Sequence, residues 1–313
     1  MKPILILLLF ACFISCKTKT VEIFPLHFQK NLIPEGIAID PQTETLFLNS
    51  LKENKIVKSN LDGSTPSEFI KRNQYDYLSG FGMTIKGDTL FALGNSHIRP
   101  DNTSVLLLLN TKTAQLIDSF TLNDSLFHYL NDLTISSNGD IYITDSESNK
   151  IYTIQRSQQH LEIFLENDEV ANSNGISISD DGQYLYLASF RKGIRVIDIR
   201  SKKIINEPNE DYAGIDGMKY YNKSLIAIVN ARRDTNKQGV FRFYLDDTKT
   251  KIIKKKQLLP YGKHFILPTT FDILNGYIYY VINTQLDNLD EVTNDIKDVS
   301  TLQSYELMKL KIE

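Results

Sequence analysis

Cysteine is almost absent. Only Cys12 and Cys16 occur in 313 residues, so the chain beyond residue 20 has no thiol pair and must be held by its hydrophobic core. Charge of one sign is also missing. The 35 Lys and Arg against 38 Asp and Glu leave a formal −3 at pH 7, without the basic excess that nucleic-acid binding draws on. The single cationic run, Lys254-Lys255-Lys256, reads as the solvated side of a hairpin. The one long apolar run, Pro3 to Ile14, is too short to cross a bilayer as a stable helix. No linker or low-complexity segment divides residues 21–313, which predicts a single domain. What remains is globular in composition, with 42% hydrophobic and 23% charged residues.

The first residues have the layout of a secretory leader. Met1-Lys2 is positive, an apolar stretch follows, and Ser15-Cys16 precedes the polar Lys17-Thr18-Lys19-Thr20. Phe13-Ile14-Ser15-Cys16 resembles the bacterial lipobox, with Phe13 where leucine is usual. That resemblance implies a lipidated Cys16 and an exported protein on the bacterial cell envelope, periplasmic or surface-facing. Two acyl chains would anchor it, since each buried CH₂ contributes about 0.8 kcal/mol. The expected layout is a lipoprotein signal peptide at 1–16, a short tether at 17–20 and one domain at 21–313. An ordinary signal peptide or an uncleaved anchor are the alternatives.

Internal repetition gives the fold. Aligning the chain at Glu35, Phe81, Asn131, Asn174, Asp216 and Thr269 yields a period of a four-stranded propeller blade. Two places after each anchor stand Ile37, Met83, Leu133, Ile176, Met218 and Phe271. Four places after stand Ile39, Ile85, Ile135, Ile178, Tyr220 and Ile273. The positions between them are mixed or polar, the alternation of a half-buried strand. Turn chemistry follows in each repeat, as in Asn138-Gly139 and Asp181-Gly182, then a returning strand and a third. This predicts an all-β six-bladed β-propeller with four-stranded antiparallel blades. An early strand at Val21–Phe28 is expected to close the ring with the last blade, removing exposed edges.

In such a ring the first residues of the inner strands converge at one mouth of the central channel. Glu35, Asn131, Asn174 and Asp216 would then supply two carboxylates and two amide carbonyls, a set suited to a hard divalent cation. Calcium is the leading candidate, with magnesium, manganese or zinc open; no His or Cys stands in the column to favour a soft-ligand zinc site. Glycine follows the anchor in four repeats (Gly36, Gly82, Gly175, Gly217), as close backbone approach at an axis requires. A second ring, Asn49, Asn95, Asp145, Ala188, Asn230 and Asn283, returns to the same mouth and is read as capping neighbouring loops. Phe81 would wall the site beside the cation, with Tyr129 and Tyr212 adding to it. His97, His128 and His264 are within loop reach of the mouth.

The segments Pro34-Glu35-Gly36, Asn131-Asp132-Leu133, Asn174 through Gly182 and Asp216-Gly217-Met218 resemble the four signature segments of the senescence-marker-protein/gluconolactonase family. Paraoxonase-type lactonases share their Glu, Asn, Asn, Asp order. The resemblance spans roughly residues 33–285. It implies that Glu35, Asn174 and Asp216 are metal ligands, that Asn131 is a fourth ligand or a substrate contact, and that Asp216 is the general base. Phe81 and His128 would be further substrate contacts; no basic sugar-contacting residue near Asn131 is evident. The implied activity is metal-dependent hydrolysis of a lactone or similar ester by a monomer that takes a small-molecule substrate. The alternative is a non-catalytic envelope propeller that binds a ligand or protein partner around a structural cation.

Overall fold

A computed structural model describes residues 21–97, 102–124, 126–290 and 292–313. The expected leader, tether and lipidation site at Cys16 lie outside the described residues. Six antiparallel sheets of four strands each follow one another around the chain, the propeller expected from the repeats.

The inner strands are Ile37–Asp40, Ser79–Lys86, Leu130–Ile135, Ser173–Ile178, Ile215–Tyr220 and Asp272–Leu274. Each runs from the mouth toward the opposite face and turns there into the second strand of its blade, at places such as Gly87, Gly139 and Gly182. Alternation puts one set of side chains between neighbouring blades. The core is accordingly a ring of clusters. Ala38, Phe47 and Phe69 of blade 1 meet Met83, Leu90 and Ala92 of blade 2. Tyr142 and Phe164 of blade 3 meet Leu185 and Ile197 of blade 4. Ile226 and Val240 of blade 5 meet Ile278 and Met308 of blade 6. Each large apolar side chain so buried contributes roughly 1.5–3 kcal/mol, with no disulfide among the described residues.

Closure follows the expected route. Val21–Leu26 pairs antiparallel with Tyr305–Lys311, so blade 6 takes three strands from the end of the chain and its outer strand from the beginning. One side chain locks the junction. The buried Tyr305 hydroxyl donates to Lys30 O at 2.6 Å and accepts from Ile33 N at 2.9 Å. The outer strands of the other blades were not visible in the sequence pattern. Leu116–Asn123 is exposed along most of its length, and Lys203–Ile204 is a bare two-residue pairing. With little to bury, they carry little alternation.

Removing the Tyr305 hydroxyl leaves a buried amide and a buried carbonyl short of partners, each costing about 1–3 kcal/mol. Tyr305→Phe is expected to lower unfolding free energy by about 2 kcal/mol in urea denaturation. Tyr261→Phe, at an exposed tyrosine, should lie within about 0.5 kcal/mol of the parent.

Candidate metal centre

At the mouth the inner strands are forced against one another. A β-carbon added to Gly36 would sit 2.0 Å from Phe81 O, one on Gly82 2.6 Å from Asn131 O, and one on Gly175 2.5 Å from Asp216 O. Each glycine thus faces the anchor of the next blade, and no larger residue fits. The pairing register between inner and second strand breaks between Gly80 and Met83, Leu130 and Leu133, Ser173 and Ile176, and Ile215 and Met218. These irregularities bracket Phe81, Asn131, Asn174 and Asp216. Bulges of this kind re-aim a side chain out of the ladder. The ring closes at Glu35, whose carbonyl accepts from Thr269 Oγ1 at 2.9 Å and Thr270 Oγ1 at 2.7 Å. Ile33, two residues before Glu35, is fully buried at φ 46°. A β-branched residue there is strained by about 1–3 kcal/mol, and its backbone is held by Tyr305 and by Leu51 N at 3.1 Å.

Four side-chain oxygens stand out: Glu35 Oε2, Asn131 Oδ1, Asn174 Oδ1 and Asp216 Oδ1 are all buried without a hydrogen-bond partner. They come from the four residues proposed as ligands, one oxygen from each. Leaving such acceptors unpaired costs about 1–3 kcal/mol apiece, more for a charged group. Burial, and then the Asp216 carboxylate, push the Glu35 carboxyl well above the usual range. Asp216 is pushed up to about 7 by burial, against hydrogen bonds from Asn230 and Asn174 that favour its ionised form. Two buried carboxyls, both pushed toward protonation chiefly by burial, thus stand beside two idle carbonyls. A hard divalent cation relieves both conditions together, and the all-oxygen donor set fits one. Among the described residues no group of three or more His, Cys, Asp or Glu converges, so any such centre is of mixed carboxylate and amide character.

The second ring works as staples, as read from the sequence. Asn49 accepts from Gly36 N at 2.7 Å and donates across to Phe81 O in the next blade. Asn95 accepts from Leu130 N at 2.9 Å and donates to Leu130 O at 3.0 Å. Asn230 alone reaches the centre, donating to Asp216 Oδ2 at 2.6 Å and to Pro268 O at 2.8 Å.

Phe81 is buried at the mouth and packs against Tyr129, ring centroids 5.2 Å apart; Tyr129 in turn meets Phe127 and His97. Burial holds the His97 imidazole below its ordinary range. Tyr212 lies edge-on against Phe243, in the packing between blades 4 and 5. His128 differs from the expectation of a substrate contact. Its side chain is buried, with Nδ1 2.8 Å from Asp145 Oδ2 and Nε2 2.9 Å from Asp124 Oδ1. Both ring nitrogens are spent on carboxylates, so this histidine clasps the loop that leads into Asn131. The chain has no short basic stretch near Asn131 that could have shown this; the partners are set by folding.

Beneath the mouth lies a charge network that sequence reasoning passed over. Asp132 is buried, accepts from Leu133 N at 2.8 Å and from Ile176 N of the next blade at 3.3 Å. Burial pushes its pKa up to about 6, opposed by the charge of Lys219. Lys219 Nζ is 3.6 Å from Asp272 Oδ1, and Asp272 Oδ2 takes Ile39 N at 2.8 Å. Lys219 and Asp272 share the third place after their anchors with Ser177, whose Oγ accepts from Tyr220 N. Polar residues recurring in that column were the available signal.

In sequence, no family model and no curated protein matches the chain. In structure it is similar to a gluconolactonase from Xanthomonas campestris, with TM-score 0.59, 14% identity, 93% of this chain and 89% of that one covered. It is similar to regucalcin, a calcium-binding protein from Agrobacterium tumefaciens, with TM-score 0.55, 14% identity and 92% of each chain covered. It is also similar to virginiamycin B lyase from Staphylococcus aureus, with TM-score 0.61, 18% identity, 95% of this chain and all of that one covered. At these identities the likeness is one of fold: the chain shares the six-bladed propeller of the gluconolactonase and regucalcin structures.

The His128 clasp makes a pH prediction. Burial acts to lower its pKa, but the hydrogen bonds and charges of Asp145 and Asp124 outweigh it and hold the imidazolium above its ordinary 6.5. A raised folded pKa gives stabilisation that is complete below about 6.5 and is lost as pH rises through the higher folded value. The stability gap between the parent and His128→Gln should therefore be widest near pH 6 and should narrow toward about pH 9. Paired denaturation curves at several pH values measure it, and a gap that widens with pH would refute the clasp.

Proposed function

We propose that this chain is a divalent-metal-dependent hydrolase of a lactone or similar ester. The observation that carries the reading is the set of four idle buried oxygens on Glu35, Asn131, Asn174 and Asp216. The fold likeness to a gluconolactonase and to a calcium-binding regucalcin supports it, and calcium is the favoured ion. Glu35, Asn131, Asn174 and Asp216 would hold the cation, which when bound polarises a substrate carbonyl and offsets the negative charge that develops on its oxygen.

The chain's own residues do the rest. Asn230 orients the Asp216 carboxylate through Oδ2, and Asp216, beside the cation it would hold through Oδ1, is the group assigned to take a proton from the attacking water. Water oxygen adds to the carbonyl carbon, the ester C–O bond breaks, and the proton passes to the leaving alkoxide. A neighbouring dication lowers a carboxylate's pKa, so the base is weakest when the centre is loaded, which favours substrates with good leaving groups. Phe81, backed by Tyr129, offers an apolar wall for a ring or acyl chain.

Calcium is expected to raise the melting temperature by several degrees and a chelator to reverse it, since a ligand at 100 times its Kd adds about 2.7 kcal/mol. Glu35→Gln and Asp216→Asn should abolish that response. A screen of small lactones and aryl acetates should show turnover that the chelator removes and that Asp216→Ala lowers at least about 100-fold. No thermal response to any divalent ion would sink the metal centre. A response without turnover would favour the non-catalytic propeller with a structural cation.

Lipidation at Cys16 is part of the proposal. Val21 pairs with Leu310 and Leu26 with Tyr305, so the first described strand starts at the face of the Asn275-Gly276 turn and climbs toward the mouth. Residues 17–20 would span at most about 14 Å, which turns the mouth away from the membrane. Cys16→Ser should move the protein from the membrane pellet to the soluble fraction.

A further inference from the structure

A cavity of about 550 Å³ opens on the mouth face between blades 4 and 5, lined by Phe190, Arg191, Ala213, Arg232, Arg233 and Lys237 among others. Its floor adjoins the candidate centre. Ser173, next to Asn174, pairs with Ser189, next to Phe190. Gly214, two places before Asp216, donates to Phe190 O at 3.3 Å and accepts from Ala231 N at 3.2 Å. Gly214 sits at φ +76°, and a β-carbon there would stand 2.6 Å from Arg232 Cδ and 2.9 Å from Ala231 O. Only glycine lets the Arg232 stem lie over this floor.

Four cationic side chains and two carboxylates line the cavity, which is therefore net positive. Among the described residues none of Arg191, Arg232, Arg233 and Lys237 forms an ion pair; their neighbour Arg195 does, with Glu169 at 3.2 Å. Two acidic residues share the lining. Asp234 is occupied in capping Asn236 N at 3.0 Å, and Glu210 meets Arg232 through its backbone carbonyl at 3.0 Å. Nearby, burial and then the charges of Arg232 and Lys237 hold the Lys255 amine below its ordinary range, against Asp211. Uncompensated guanidinium groups in a cavity large enough for a substituted ring are the usual receptor for carboxylate or phosphate oxygens. Phe190, 47% exposed on the same wall, supplies an apolar contact.

We propose that this cavity is an anion-recognition pocket and that the substrate carries a carboxylate or phosphate group, held there while its ester bond faces the centre; the second clause rests on the hydrolase reading. The shared chemistry is an oxyanion that arginine forks grip. The pocket's place beside Asn174 and Asp216, not the channel beneath them, makes it a determinant of specificity.

The test uses para-acetoxybenzoate, para-acetoxyphenyl phosphate and the neutral para-acetoxybenzamide with the full-length protein and calcium. The parent should prefer an anionic ester over the neutral one by about tenfold in kcat/KM, through KM. The double variant Arg191→Gln, Arg233→Gln should lose that preference, whereas Arg156→Gln on the opposite face should keep it. Whichever anion is preferred identifies carboxylate or phosphate. Calorimetric titration with benzoate and phenyl phosphate reads the pocket without turnover. Binding that the double variant weakens about tenfold supports the pocket even if no ester is cleaved, in which case only the hydrolase reading fails. Equal rates on charged and neutral esters, with no anion binding that depends on Arg191 and Arg233, would overturn the pocket while leaving the hydrolase intact.

Discussion

Everything at the mouth depends on how tightly six inner strands can approach a common axis. A β-carbon at Gly36 would land on the carbonyl of Phe81, and one at Gly175 on that of Asp216. That contact decides that only glycine can follow the anchor at these places. The Thr269 and Thr270 hydroxyls on Glu35 O, and Tyr305 on Lys30 and Ile33, close the circle across a chain separation of more than 200 residues. Hydrogen bonding, not covalent linkage, holds the junction, which is why the described residues keep the geometry without a disulfide among them.

The same closure creates an electrostatic debt. Glu35 and Asp216 are buried where water scarcely reaches, and burial raises the proton affinity of both, helped at Glu35 by the charge of Asp216 and at Asp216 by that of Asp132. Several other buried polar groups near the mouth are compensated. Asn49 and Asn95 are saturated by neighbouring blades. His128 lies between two carboxylates, and Asp132 takes two backbone amides and the field of Lys219. Ser96, Thr111, Arg195, Tyr220 and Asn294 also carry buried unpaired atoms, but they fall outside the anchor column, whereas the four idle oxygens at the mouth fall on four of its anchors. Their concentration on Glu35, Asn131, Asn174 and Asp216 supports an ion-binding role more strongly than any one of them does.

Much of the architecture was legible because strand alternation, turn chemistry and the anchor-glycine pair are local properties repeated in six copies. The inner strands and the closing strand lie where the columns place them, to within three residues. The outer strands of the other blades were invisible for a physical reason. Leu116–Asn123 faces solvent on most positions, so no buried face imposes a pattern. The partners of His128 could not be read from its position three residues before Asn131, because sequence proximity to a site says nothing about which partners a ring nitrogen finds. Lys219 and Asp272 lay in a column already marked polar, yet their pairing requires knowing that blades 5 and 6 are neighbours at that depth.

By itself, then, the amino-acid sequence determined the blade number, the strand order within the repeats and the identity of the residues that stand at the mouth, since each follows from short-range periodicity. Only the tertiary structure decided which oxygens at that mouth are left without partners, that His128 serves a loop, and that Arg191, Arg232, Arg233 and Lys237 gather into one cavity. Those outcomes depend on which side chains from distant segments meet after the ring closes, and no local pattern along the chain encodes such meetings.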